Sequence, residues 1–157
     1  MEALSRTTGC VLVGLSALHV AWGLGSSMPF ASRDKLANAV MGTEAVPSKA
    51  ACFIVAGGLA LSSAVVLDAV LVPQPVRRRA LFAIAGGFGA RALLGWTGNT
   101  DKVSPGSNSP TFRQLDRRLY SPICACLAVG AITALEPTPS KSATPGPECA
   151  HLWKDTA

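Results

Sequence analysis

The sequence predicts an all-α fold, an integral membrane four-helix bundle with a disordered C-terminal tail. Two observations carry this. Four apolar runs, roughly Leu4–Leu24, Ala50–Val72, Ala80–Trp96 and Leu115–Leu135, lie within 157 residues. At about 1.5 Å per residue each run covers on the order of 25–35 Å, close to the roughly 30 Å hydrocarbon thickness of a bilayer. In addition, only 15% of residues are charged, against about 25% in soluble domains. The deficit lies in the apolar runs. Residues 1–136 therefore read as one domain, with no room for a separate soluble catalytic domain.

The first run carries Arg6, an apolar core and small residues at Gly23 and Gly25. His19 and Trp22 interrupt the core and no small-x-small cleavage site follows, so it is read as a span and not as a cleaved signal peptide. Ser26–Lys49 is a loop with a short helix expected over Ser32–Met41, Ser32 being its N-cap. Pro73–Arg79 is expected to be a tight connection ending in three arginines. Thr97–Gln114 is Gly/Ser/Asn/Pro-rich and reads as an irregular loop.

The last span begins near Leu115, because a start at Ser121-Pro122 would leave a helix too short to cross. A kink is expected at Pro122, which has no N–H to give to the carbonyl of Arg118. Residues 137–157 hold four prolines among Ser, Thr and Lys and are expected to form a disordered tail. Small residues at Ala56, Ala60 and Ala64, and at Ala83, Gly87 and Gly95, are expected to let the helices approach closely.

The net charge is +5. The Arg and Lys sit mostly in loops beside apolar spans, so the expected partner is the lipid bilayer and not nucleic acid. Charge counting leaves orientation balanced. Arg33, Lys35, Lys49, Lys102, Arg113, Arg117 and Arg118 fall on one side, and Arg6, Arg77, Arg78, Arg79, Lys141 and Lys154 on the other. The compact Arg77–Arg79 cluster, tight against two spans, tips the reading to both termini inside. Of five cysteines, all but Cys149 lie in spans. Cys124 and Cys126 face different ways on a helix, so no disulfide framework, metal site or cofactor is expected.

Ionisable residues inside spans are costly and tend to face the bundle interior. Asp68, close to Arg77–Arg79, is expected to pair with that cluster. His19, Arg91 and Asp116 are all placed by connectivity at the same membrane side, with Trp22, Trp96 and Tyr120 at that level. Together they suggest a polar mouth with Asp116, His19 and Arg91 as candidate catalytic residues. Trp22, Trp96 and Tyr120 are candidate substrate-binding residues.

The stretches Leu18-His19-Val20-Ala21-Trp22-Gly23-Leu24-Gly25, Arg91-Ala92-Leu93-Leu94-Gly95 and Leu115-Asp116-Arg117-Arg118-Leu119-Tyr120-Ser121-Pro122-Ile123-Cys124 carry a resemblance. Over about Leu12 to Ala134 the chain resembles the domain-of-unknown-function family numbered 3995. The resemblance implies a small four-helix protein of a bacterial cytoplasmic membrane, with no established activity. The Ser/Pro insertion between Arg91 and Asp116 departs from that pattern.

Two functions fit these residues. One is a cofactor-independent membrane enzyme acting on an apolar small molecule. There Asp116, kept from water, protonates an alkene or epoxide to start an isomerisation or terpenoid-type cyclisation, and His19 takes a proton back. Trp22 and Tyr120 would steady a cation through their ring faces. The other is a non-catalytic membrane protein that binds lipid or a partner subunit, with Arg91–Asp116 as a clamp between helices. A transporter or channel is disfavoured, since four helices and no charged ring make no pathway.

Overall fold

The computed structural model describes residues 2–43, 45–102, 105–107 and 109–136, and these are all-α. The expected tail at 137–157 lies outside the described residues. The helices are α1 (Glu2–Gly23), α2 (Arg33–Val40), α3 (Lys49–Val66), α4 (Gln74–Thr97), α5 (Pro110–Leu115) and α6 (Ser121–Thr133). A 3₁₀ turn covers Thr100–Lys102, and a π-turn over Asp116–Tyr120 joins α5 to α6.

Local chemistry explains most of the boundaries. Ser32 caps α2 by accepting from the Lys35 N–H, and Ser48 caps α3 by accepting from the Ala51 N–H. Helix α3 stops at Val66, six residues before the expected end. Asp68 takes a left-handed conformation with φ 56°, which breaks the helical path. Helix α4 starts six residues earlier than expected, at Gln74, because Pro75 in its first turn has a φ already suited to a helix. Arg77–Arg79 are therefore helical and not part of a connecting loop.

The fourth helical run also begins early. Ser109 accepts from the Phe112 N–H and Pro110 opens α5, so the Ser-Pro start signal acts here and not at Ser121-Pro122. Ahead of Pro122, the site of the expected kink, lies a different feature, the π-turn, in which the Ser121 N–H donates to the Asp116 carbonyl, five residues back.

Helices α1 and α3 pack antiparallel. Ser63 Oγ donates to the Gly9 carbonyl at 2.9 Å and Ser16 Oγ to the Ala56 carbonyl at 2.8 Å, so rising numbers on one helix meet falling numbers on the other. Helices α4 and α6 pack likewise, with Arg77 meeting Ala134 at one end and Gly95 meeting Ser121 at the other. The two pairs join where α1 meets α6, with the Thr8 side chain seated against Gly130. The core between them holds Leu12, Val65, Val66, Leu81, Ala85, Leu127 and Ala131. A smaller cluster of Trp22, Leu36 and Cys52 fixes α2 at the other end.

The small-residue stripes are used only in part. Ala56 and Gly95 are buried, while Ala60, Ala83 and Gly87 are exposed.

Helices α1, α3 and α4 are long and apolar enough to cross a membrane. Helix α6 has 13 residues and continues the π-turn and α5. At the bundle end away from α2, Asp68 pairs with Arg77 as expected, Nε to Oδ1 at 2.9 Å.

Candidate functional site

Antiparallel packing of α4 on α6 sets Arg91 opposite Asp116, despite the insertion between them. Arg91 Nη2 donates to Asp116 Oδ1 at 2.7 Å. Gly98, with φ 73°, ends α4 and turns the chain so that Thr100 reaches the same carboxylate. Thr100 Oγ1 donates to Asp116 Oδ2 at 2.6 Å. Ser121 Oγ stands 3.5 Å from Oδ1.

The π-turn explains that last contact. Residues five apart on an α-helix point about 140° away from each other. The wider turn brings Ser121 round towards the side of Asp116.

Asp116 is 2% exposed and Ser121 fully buried. Both carboxylate oxygens accept hydrogen bonds from different segments. Such bonds to an ionised group are among the stronger ones. Arg91 Nη1 is buried without a hydrogen-bond partner among the described residues. The cavity beside this cluster, lined in part by Gly95, Thr100, Ser107 and Phe112, measures ≈ 10 Å³. That is about the space of one water.

The other candidates lie around this cluster but outside it. Tyr120 directs its hydroxyl to the Ala39 carbonyl at 3.1 Å and its ring lies 6.3 Å from that of Phe112. It thus fastens α2 to the π-turn. Trp22 is buried and donates through Nε1 to the Met28 carbonyl at 2.7 Å. His19 Nδ1 is 2.8 Å from the Leu15 carbonyl of its own helix, and its ring centroid is 4.8 Å from that of Trp22. No hydrogen bond or ring contact joins His19 to Asp116. Trp96 is 48% exposed. The structure therefore brings together Arg91 and Asp116 with Tyr120 nearby, pairs His19 with Trp22, and leaves Trp96 on the outside.

Thr100 and Ser121 are the members that sequence reasoning missed. Thr100 sits in a loop of small polar residues with nothing to distinguish it. Ser121 was legible only as a helix cap.

A larger cleft of ≈ 770 Å³ lies between α2 and α5, lined by Phe30, Asp34, Lys35, Asn38, Ala39 and Thr111. None of the six candidates lines it. Among the described residues no three His, Cys, Asp or Glu side chains group as metal ligands, and Cys10, Cys52, Cys124 and Cys126 are free thiols.

Chemically, the cluster joins three segments through one buried carboxylate. Among the described residues, the cavity that Asp116 lines has room for about one water. No curated protein and no solved structure matches this chain. Residues 12–131 match the family described as protein of unknown function, DUF3995, and the chain belongs to that family.

Proposed function

We propose that this chain is a non-catalytic four-helix membrane bundle that binds lipid, in which Arg91, Asp116, Thr100 and Ser121 form a structural clamp. The fourth span is the continuous helical run through α5, the π-turn and α6. Large apolar side chains point outwards from the helices, among them Ile54 at 74% exposed, Leu61 at 62% and Leu93 at 62%. A bilayer is the solvent that suits such a surface.

One observation carries the clamp reading: the buried Asp116 carboxylate is bonded by Arg91 of α4, Thr100 of the loop and Ser121 of α6, beside a space no larger than one water. An acid–base enzyme would need an open cavity touching Asp116 and His19. A charge in such surroundings is tolerated when paired, and removing one partner strands the other.

Asp116→Asn tests this. It keeps the shape and removes the charge that holds Arg91. The clamp reading expects folded protein in detergent whose melting temperature falls by roughly 5–10 °C, on the scale of about 3 kcal/mol for a broken buried pair. An unchanged or raised melting temperature would contradict it, because a residue kept for activity tends to cost stability.

A further inference from the structure

We infer that this chain holds one anionic phospholipid against α4 and α6, with its phosphate at Arg78 and an acyl chain in the groove between the two helices. This rests on the membrane-bundle reading above and names the lipid class and its place.

The charge distribution at the entrance of α4 is the first observation. Three guanidinium groups follow one another at Arg77, Arg78 and Arg79. Arg77 is 8% exposed, pairs with Asp68 at 2.9 Å and donates to the Ala134 carbonyl at 3.2 Å, so its charge is matched within the fold. Arg78 and Arg79 are exposed, and among the described residues neither has an acidic partner. Arg78 lies one turn before Phe82 on the same side of α4, whereas Arg79 is turned about 100° from it and lines neither cavity beside Arg78. Arg78 is the cation left for an external anion on this side.

The second observation is the shape beside them. A cavity of ≈ 260 Å³ lies against this cluster, lined by Gln74, Pro75, Arg77, Arg78, Leu81 and Leu135. An almost wholly apolar groove of ≈ 480 Å³ runs on between α4 and α6, lined by Phe82, Ala85, Gly86, Ala128, Val129 and Ile132. Arg78 links the two. Its guanidinium lies 5.7 Å over the ring of Phe82, so a cation closes one end of the groove.

The distances suit a lipid. From Arg78 to Gly86 is about 12 Å along the helix axis. One leaflet of hydrocarbon is about 15 Å deep. A phosphate at Arg78 would thus let its chain descend the groove within the same leaflet. Gly86 keeps the floor open, with no heavy atom within 4 Å of where its Cβ would stand. Inorganic phosphate shares the headgroup chemistry and lacks the chain, so it separates the two sources.

The experiment uses delipidated full-length protein in neutral detergent. Bound lipid is counted by native mass spectrometry after addition of phosphatidylglycerol, phosphatidylcholine or inorganic phosphate. The expected result is one phosphatidylglycerol retained in preference to phosphatidylcholine, with no comparable adduct from phosphate. Arg78→Gln should weaken phosphatidylglycerol by about fivefold, the scale of one basic residue at an anionic membrane surface, and Arg79→Gln, turned away from the groove, should weaken it less. Gly86→Leu should fill the groove and weaken both lipids. Equal retention of the two lipids, Arg78→Gln indistinguishable from the parent or no weaker than Arg79→Gln, or phosphate binding as well as the lipid would each overturn the proposal. So would a dimer that Gly86→Leu dissociates, which would give the groove to a second copy. Failure of the bundle reading shows separately: the chain would then be found in the soluble fraction without detergent.

Discussion

Ser121 places its hydroxyl in the space that a side chain at Gly95 would occupy. That close approach of α6 to α4 lets the hydroxyl stand beside Asp116 and brings Arg91 into reach of the same carboxylate. Gly95 is thus required by the clamp and not by any backbone conformation.

Gly95→Ala should therefore destabilise the bundle. The added Cβ would overlap Ser121 Oγ and crowd Asp116 and Arg91. Overpacking of this kind costs about 1–3 kcal/mol. The melting temperature in detergent should fall, and adding Ser121→Ala should restore part of the loss. Ser121→Ala alone should cost less than Gly95→Ala. If Gly95→Ala melts like the parent, the close approach is wrong.

The same logic applies where the two helix pairs join. Thr8 of α1 lies against Gly130 of α6, and a Cβ at residue 130 would overlap the Thr8 side chain. Gly130→Ala is expected to cost about 1–3 kcal/mol. Thr8→Ala in that background should recover part of it, because Oγ1 and Cγ2 are removed while the Thr8 Cβ, 2.8 Å from the added Cβ, remains. Thermal unfolding of the four proteins of this cycle measures the effect.

The α1–α3 pair depends on polar contacts as well as packing. Ser63 is buried and donates to the Gly9 carbonyl, whereas Ser16 is half-buried and donates to the Ala56 carbonyl. Hydrogen bonds between membrane helices contribute about 0.6 kcal/mol on average, at most about 1.7. Ser63→Ala should lower the melting temperature more than Ser16→Ala. The reverse order would show that burial does not set their strength here.

Much of this architecture was legible in the sequence, for reasons that differ by residue. Long apolar runs and short polar connections give helices in antiparallel order. That order alone sets the ends of α1 and α4 and the start of the fourth run at one level. Hence Arg91, Asp116 and Tyr120 could be placed together before any distance was known, and so could Ser32 as a cap and Asp68 beside Arg77. Helix limits were harder. The three arginines look like a loop by charge, yet Pro75 starts a helix ahead of them, and Ser109-Pro110 and Ser121-Pro122 read alike although only the first is a cap. Thr100 and the π-turn were not legible. Thr100 reaches Asp116 through the turn made at Gly98, the π-turn is a local widening of the helix, and periodicity encodes neither. His19 shares a level with Asp116, but level does not fix which side of the helix faces inwards, and its ring meets Trp22 instead.

A double-mutant cycle on Arg91 and Asp116 tests the clamp most directly, using Arg91→Met, Asp116→Asn and both together, with unfolding free energy in detergent as the readout. The clamp predicts that each single change costs about 3 kcal/mol, since Arg91→Met strands the buried carboxylate and Asp116→Asn leaves a half-buried guanidinium without its anion, and that the double change costs little more than one of them. The coupling would then be at least about 2 kcal/mol. Single changes below about 0.5 kcal/mol that simply add would contradict it, and would return both residues to the search for an activity.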